Sequence, residues 1–336
     1  MASMSRLNLI GSSLAFRQMQ AALHRFAGAD ATVLINGESG TGKELAARSI
    51  HYLSARSEHP FVPVNCGVLT DSLMESELFG HERGAFTDAS RQYAGLIGEA
   101  DGGTLFLDEI DSLSPRAQGA LLRFLQEKTY RKVGGTGLRS ADVRVVAATN
   151  ADLAKLAAEK QFRHDLLYRL NVLQVTVPPL RDRGHDAVEL AQTFVARLCD
   201  QYQTDPRLLS ESARVLISRY SWPGNIRKLE NLLLRDFLMS DGPLLECAEL
   251  GAMCHLATHR HEDQLPYNQA KAHVLLEFER RYVSELIART GGNVTHAARL
   301  AGKERSAFGK LLRKHGLRGD TQAAPPAGHA MHELTN

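Results

Sequence analysis

In the run LINGESGTGKELAA, Gly37 and the pair Gly42-Lys43 stand at the spacing Gly-x-x-x-x-Gly-Lys, between a β-rich segment and a helical one. Glycines at these points let backbone N–H groups turn toward a polyphosphate. The lysine reaches the outer phosphates, and the N-terminus of the next helix adds favourable dipole charge. The loop Gly37, Glu38, Ser39, Gly40, Thr41, Gly42, Lys43, Glu44 is therefore the candidate phosphate cradle. Glu44 takes the place of the usual Ser or Thr whose hydroxyl touches Mg2+, so the metal has to lean on other oxygens. GGTLFLDEID supplies them, because the apolar residues Leu105, Phe106 and Leu107 lead into Asp108 and Glu109. Asp108 is suited to hold Mg2+, directly or through water, and Glu109 to orient or deprotonate an attacking water.

These side chains need a scaffold, and residues 1–179 read as one. Short β-rich runs (TVLING, FVPVNC, GTLFLDEI, VRVVAATN) alternate with helical segments such as KELAARSIHYLS and PRAQGALLRFLQEK. Strand and helix in alternation imply an α/β fold with a parallel sheet covered on both faces. Across residues 180–240 the strands stop and apolar residues recur at helical spacing, which predicts a helical subdomain. Residues 241–266 lose periodicity and read as a linker, residues 267–318 as a second helical unit, and residues 319–336 as a Pro-, Ala- and Gly-rich disordered tail.

At 336 residues and 43% hydrophobic, the chain is long enough for two or three domains with a sizeable core. No run has the length of a membrane span and the start lacks a signal peptide, which points to the cytoplasm. The four cysteines, Cys66, Cys199, Cys247 and Cys254, show no CxxC spacing and read as reduced thiols. Cys247, Cys254, His255, His259 and His261 gather in the linker, but their spacing matches no standard zinc site and an ordinary linker is the preferred reading.

Charge is unevenly divided. Residues 267–318 hold eleven Lys and Arg against four Asp and Glu, a balance of +7, which leaves −5 for the rest of a chain of net charge +2. GGNVTHAARLAGKERSAFGKLLRKHGL reads as helix, tight turn at Ala301-Gly302, helix. Ala297, Ala298 and Leu300 are expected to pack inward, and so are Phe308, Leu311 and Leu312 on the second helix. Its other side carries Arg305, Ser306, Lys310, Arg313 and Lys314, the pattern of a helix-turn-helix that reads the major groove of double-stranded DNA. The helical run before it has apolar residues spaced for a partner, which suggests a dimeric module.

With these motifs in order, the chain resembles the AAA+ activators of sigma-54 RNA polymerase, the bacterial enhancer-binding proteins. The resemblance runs from about Leu7 to Leu317. GESGTGKE is similar to the family's Walker A, Glu44 included, and TLFLDEI to its Walker B. The family fold implied is a P-loop parallel sheet with a helical lid, followed by a Fis-type helix-turn-helix domain. ESELFGHERGAFTDA is similar to the signature insertion, so Gly84, Ala85, Phe86, Thr87, Asp88 and Ala89 are the implied sigma-54 contact, with Asp88 where the family pattern has Gly.

The resemblance also implies Asn65 as the switch residue that pairs with Glu109, and Thr149 and Asn150 as sensor I. It makes Arg163 and Arg169 arginine fingers, Arg227 the sensor II arginine, and Leu9, Ile10 and Gly11 the lining of an adenine pocket. Function follows as an expectation: ATP hydrolysis with Mg2+ in a homo-oligomeric ring, up to a hexamer, remodels the sigma-54 polymerase closed complex at promoters whose upstream DNA the module binds. Only eight residues precede the adenine segment, so no receiver domain is expected in front, and control is expected from a separate regulatory protein, from expression level or from ATP. Two rivals stay open. Asp88 leaves room for a DNA-binding regulator without sigma-54 contact, and the ATPase alone would suit a general AAA+ remodeller.

Overall fold

The computed structural model describes residues 9–68, 71–86, 89, 91–253 and 267–316. The chain divides into two compact units, residues 1–252 and 253–336. In the first, strands β1 (Val33–Asn36), β2 (Phe61–Asn65) and β3 (Thr104–Asp108) are followed by a small antiparallel hairpin, β4 (Thr129–Arg131) and β5 (Leu138–Ser140). Then come β6 (Arg144–Thr149) and β7 (Leu173–Thr176). All but the hairpin form a five-stranded parallel sheet in the order β2-β3-β6-β1-β7. Period-two alternation splits its residues between two cores. Leu34, Leu105, Leu107, Val145 and Ala147 pack on one face. Val33, Ile35, Phe106, Val146, Ala148 and Val175 pack on the other.

Helices α1 (Leu14–Ala27) and α2 (Lys43–Tyr52) cover the second face. On α1, Phe16, Met19, Leu23 and Ala27 follow one another at three- and four-residue steps and are buried, and Ser13 caps the helix by accepting from Phe16 N. The first face is covered by α3 (Asp71–Phe79), the one-turn α4 (Leu96–Glu99), α5 (Pro115–Glu127), α6 (Leu153–Ala158) and α7 (His164–Leu170). Ser114 caps α5 with Pro115 at its first position, so the helix begins where the acidic strand's turn ends.

The lid consists of α8 (Asp186–Tyr202), α9 (Glu211–Arg219) and α10 (Asn225–Met239). Two differences from the sequence reading appear in this unit. The segment LQVT, unassigned in sequence, is the edge strand β7. The expected linker from residue 241 begins too early: β9 (Leu244–Leu245) pairs with β8 (Leu208–Leu209), a helical segment covers 248–253, and Leu245, Cys247 and Leu250 are buried. Two residues of strand carry no period, which is why the sequence did not reveal them.

The second unit holds α11 (Tyr267–Arg289), α12 (Val294–Leu300) and α13 (Arg305–Lys314). Val283, Leu286, Ala297, Ala298, Phe308 and Leu312 form its core. Leu300, expected to pack inward, is 50% exposed, because it lies in the last turn of α12 where the chain leaves for the turn at Gly302. Asn293 caps α12 by accepting from His296 N.

Candidate active site

The carboxyl ends of parallel strands are where α/β sheets bind ligands, and the predicted residues collect there. Asn65 pairs with Asp108 in the β2–β3 register, and Asn36, which leads into the phosphate loop, pairs with Thr149. Lys43 is buried at the first turn of α2 and donates to the carbonyls of Gly37 (2.9 Å) and Glu38 (3.4 Å). Burial pushes its ammonium below the ordinary lysine value, against the opposing pull of Asp108, Glu109 and Asp111. The Thr41 hydroxyl donates to Glu38 O (2.8 Å), which tightens the loop. Gly40 has φ +76°, and a Cβ there would collide with the Gly224 carbonyl, so only glycine lets the loop approach the lid this closely. Glu44 faces away from the loop and pairs with Arg48 at 2.7 Å along α2, outside the cradle to which the sequence assigned it.

At the end of β3, Asp108 Oδ1 accepts from Glu109 N (3.0 Å), while Oδ2 makes no hydrogen bond among the described residues. Glu109 adopts φ +55°, a left-handed conformation rare for a residue with a side chain, which turns its carboxylate over Gly67. A Cβ at Gly67 would overlap Glu109 Oε2, so glycine there leaves room for the carboxylate. The Asn65 Oδ1 accepts from Gly67 N (2.8 Å), so Asn65 and Glu109 meet around the same glycine rather than through a direct hydrogen bond. Burial, with Asp108 next, pushes the neighbouring Cys66 thiol up to about 12 and keeps it an inert core residue.

The two residues expected to form sensor I differ in their surroundings. Thr149 is fully buried, with its hydroxyl donating to Asp111 and accepting from Ala151 N, so it is spent on holding the strand end. Asn150, one residue on, is exposed at the carboxyl end of the sheet. Asp111 was not singled out in the sequence, and only its place three residues after Asp108 hints at a part in the site.

The lid closes over the loop. Arg227 Nη1 donates to Ser39 Oγ (3.2 Å), and Ile226 N donates to Gly40 O (2.9 Å). Leu9, Ile10, Phe16, Thr41, Val177 and Ile226 help line a cavity of about 200 Å3 between lid and sheet. Ile10 O accepts from Arg183 (2.6 Å), and the fully buried ion pair of Arg183 with Asp186 (3.0 Å) fixes this wall. Asp186 also accepts from Ser12 N and Ser13 N. The finger candidates lie apart from this cavity. Arg163 is half-exposed and paired with Asp165 (2.7 Å), and Arg169 donates twice to Leu125 O (3.2 and 3.0 Å).

Between α3 and α4 the chain forms the loop predicted to meet a partner. His81 bridges to Tyr93 and Val133, and Gly84 N donates to Ala89 O (2.9 Å). Phe86 is 37% exposed and sets its ring edge-on to His81 at 5.0 Å, whereas Ala89 is buried. Thr87 and Asp88 lie outside the described residues.

Residues 9–176 match the family described as the sigma-54 interaction domain, and residues 181–266 match an AAA+ ATPase lid domain. The chain belongs to the sigma-54 activator family. It is 44% identical over 298 residues to the transcriptional regulatory protein ZraR of Klebsiella oxytoca, covering 89% of this chain and 67% of that protein. It is 39% identical over 310 residues to the nitrogen fixation protein AnfA of Azotobacter vinelandii, covering 92% and 58%. Among solved structures it is similar to NtrX of Brucella abortus in complex with ATP, with a TM-score of 0.72 and 35% identity over 92% of this chain and 70% of that one. As a sigma-54 activator with a P-loop and a lid, the protein is an AAA+ ATPase. Among the described residues no helix is long and apolar enough to cross a membrane.

In the second unit of this sigma-54 activator, Arg305, Ser306, Lys310 and Arg313 are exposed along α13. Among the described residues Arg305 and Lys310 have no ion-pair partner. Lys314 has one, Glu279 of α11 (2.7 Å), which also meets His315 (3.1 Å). The Lys314 and His315 contacts hold the Glu279 carboxyl below its ordinary value. Of the suspected Cys and His cluster, Cys247 is buried in the lid, where burial pushes its thiol up to about 12, and the other members lie outside the described residues.

Proposed function

We propose that this protein activates transcription by sigma-54 RNA polymerase through ATP-driven movement of the residue 84–89 loop. The observation that carries the reading is Phe86, an exposed aromatic set edge-on to His81, within the span matching a sigma-54 interaction domain. The phosphate loop binds the polyphosphate of ATP, and the cavity beside Ile10 takes the base.

The donor set at the sheet end suits Mg2+, which keeps several waters and needs only one or two carboxylates besides phosphate oxygens. Asp108, with an oxygen to spare, would hold it; when bound it neutralises charge on the terminal phosphates. Glu109 takes up the proton of the attacking water, and Asn65 and Gly67 fix the height of its carboxylate. Arg163 and Arg169 act on the nucleotide of a neighbouring subunit, which makes a homo-oligomeric ring necessary. Their exposure and their distance from their own cavity support this assignment. The second unit binds DNA upstream of the promoter through α13. The exposed Leu275, Leu276, Phe278 and Tyr282 of α11 support a dimer of that unit.

Transcription in vitro with sigma-54 and with sigma-70 holoenzyme tests the proposal. Open complexes should form with sigma-54 alone and require ATP, and Phe86→Ala should abolish them while ATPase activity persists. Activity on sigma-70 holoenzyme, or Phe86→Ala with full activity, refutes it.

A further inference from the structure

Glu38, the second residue of the phosphate loop, does not face the cradle. Its carboxylate forms a two-pronged pair with Arg181 (2.8 and 2.6 Å) and accepts from Asn225 Nδ2 (3.2 Å). Arg181 belongs to the turn Leu180–Arg183 that joins the sheet to the lid, and Asn225 is the first residue of lid helix α10. Asn225 is almost wholly buried at φ +52°, accepts from Leu180 N (2.8 Å) and donates to Ser39 O (3.0 Å). One carboxylate thus ties together the phosphate loop, the hinge and the lid.

The same turn carries two ion pairs of opposite character. Arg183–Asp186 is fully buried and fixes the base-side wall. Arg181–Glu38 is about half-exposed on both sides, so water can compete for it and it can break and re-form. Arg181, then Asn225, hold the Glu38 carboxyl down at about 2, so the acid stays ionised throughout the neutral range and ionic strength, rather than pH, is the lever on the pair.

We infer that Glu38 is a positioning residue that latches the lid onto the phosphate loop through Arg181 and Asn225, and that nucleotide leaves only when this latch opens. The inference rests on the ATP-binding reading above and adds a role for Glu38 that phosphate binding does not require.

Stopped-flow release of a fluorescent ADP analogue from the full chain tests it, with wild type, Glu38→Gln, Arg181→Gln, Arg181→Lys and the double Gln variant. Each Gln variant should release the analogue about three- to fivefold faster, the upper range for a half-exposed pair, and the double variant no faster than the quicker single. Raising salt to about 0.5 M should bring wild type toward the variants and leave them unmoved. Arg181→Lys, with charge but no fork, should fall between. Thermal melts identify a variant that does not fold. If Glu38→Gln is one, the two Arg181 variants decide, since that side chain is half-exposed. Release rates equal to wild type in folded variants, or singles whose effects multiply in the double, overturn the latch. A wild type that binds no analogue overturns the nucleotide reading itself.

Discussion

The carboxyl end of the sheet and the basic helix α13 handle charge in opposite ways. At the sheet end the groups around the two acidic residues Asp108 and Glu109 are spoken for: Lys43 by loop carbonyls, Glu38 by Arg181, Asp111 by Thr149, Arg183 by Asp186. On α13, Arg305 and Lys310 stand in solvent without ion-pair partners among the described residues, while Lys314 is paired with Glu279 and Arg313 Nε donates to Gly309 O. A catalytic site must hold its groups in one geometry before substrate arrives, which takes partners from distant parts of the chain. A surface that meets a polyanion draws its affinity from charges the polyanion itself neutralises, so partners within the protein would compete.

Variants at the sheet end should therefore produce the largest effects. Glu109→Gln should lower ATP turnover by about 10²–10⁴ with nucleotide still bound, whereas Lys43→Ala should lose binding itself. Equilibrium binding with steady-state turnover separates the two, and equal loss of binding in both would remove the base role from Glu109. Next in size is Arg169→Ala, expected to cost about 10³ in turnover. Because Arg169 rests on Leu125 O and not on its own cavity, mixing these subunits with Glu109→Gln subunits should recover some activity. Mixed rings with no recovery at any ratio would place the finger elsewhere.

Effects on the basic helix should be smaller and differ in kind. Arg305→Ala should cost about 1–3 kcal/mol at the cognate DNA site and relax preference at one base pair, as footprinting on altered sites would reveal. Lys314→Ala should weaken all sequences alike by less than a free lysine would, since Glu279 already holds it. Glu279→Gln should then raise non-specific DNA affinity, and a salt titration in which it does not would erase the contrast between the two regions.

The smallest effect is on stability. The Glu279 carboxyl lies below its ordinary value of 4.5 in the folded state, so its contribution is complete above that value and lost as pH falls from 4.5 through the lowered one. Acid melts of the second unit should show this loss, and Glu279→Gln should remove that part of the pH dependence.

What the sequence determined by itself was local and periodic. Buried runs such as TLFLD and RVVAAT announce strands because their apolar residues pack alternately into one core or the other. The Gly-Lys spacing declares a phosphate loop because one turn of backbone contains all of it. LQVT and the hairpin gave no such signal. β7 buries only Val175, and β5 lies exposed, so neither has a period to read. Tertiary structure alone decided which partners the site residues keep. Thr149 reaches Asp111 across 38 residues, and Glu38 reaches Arg181 across 143. Periodicity records whether a residue is buried, but not which residue faces it. That depends on the order in which parallel strands cross over and on where the lid folds back, neither of which leaves a trace in local spacing.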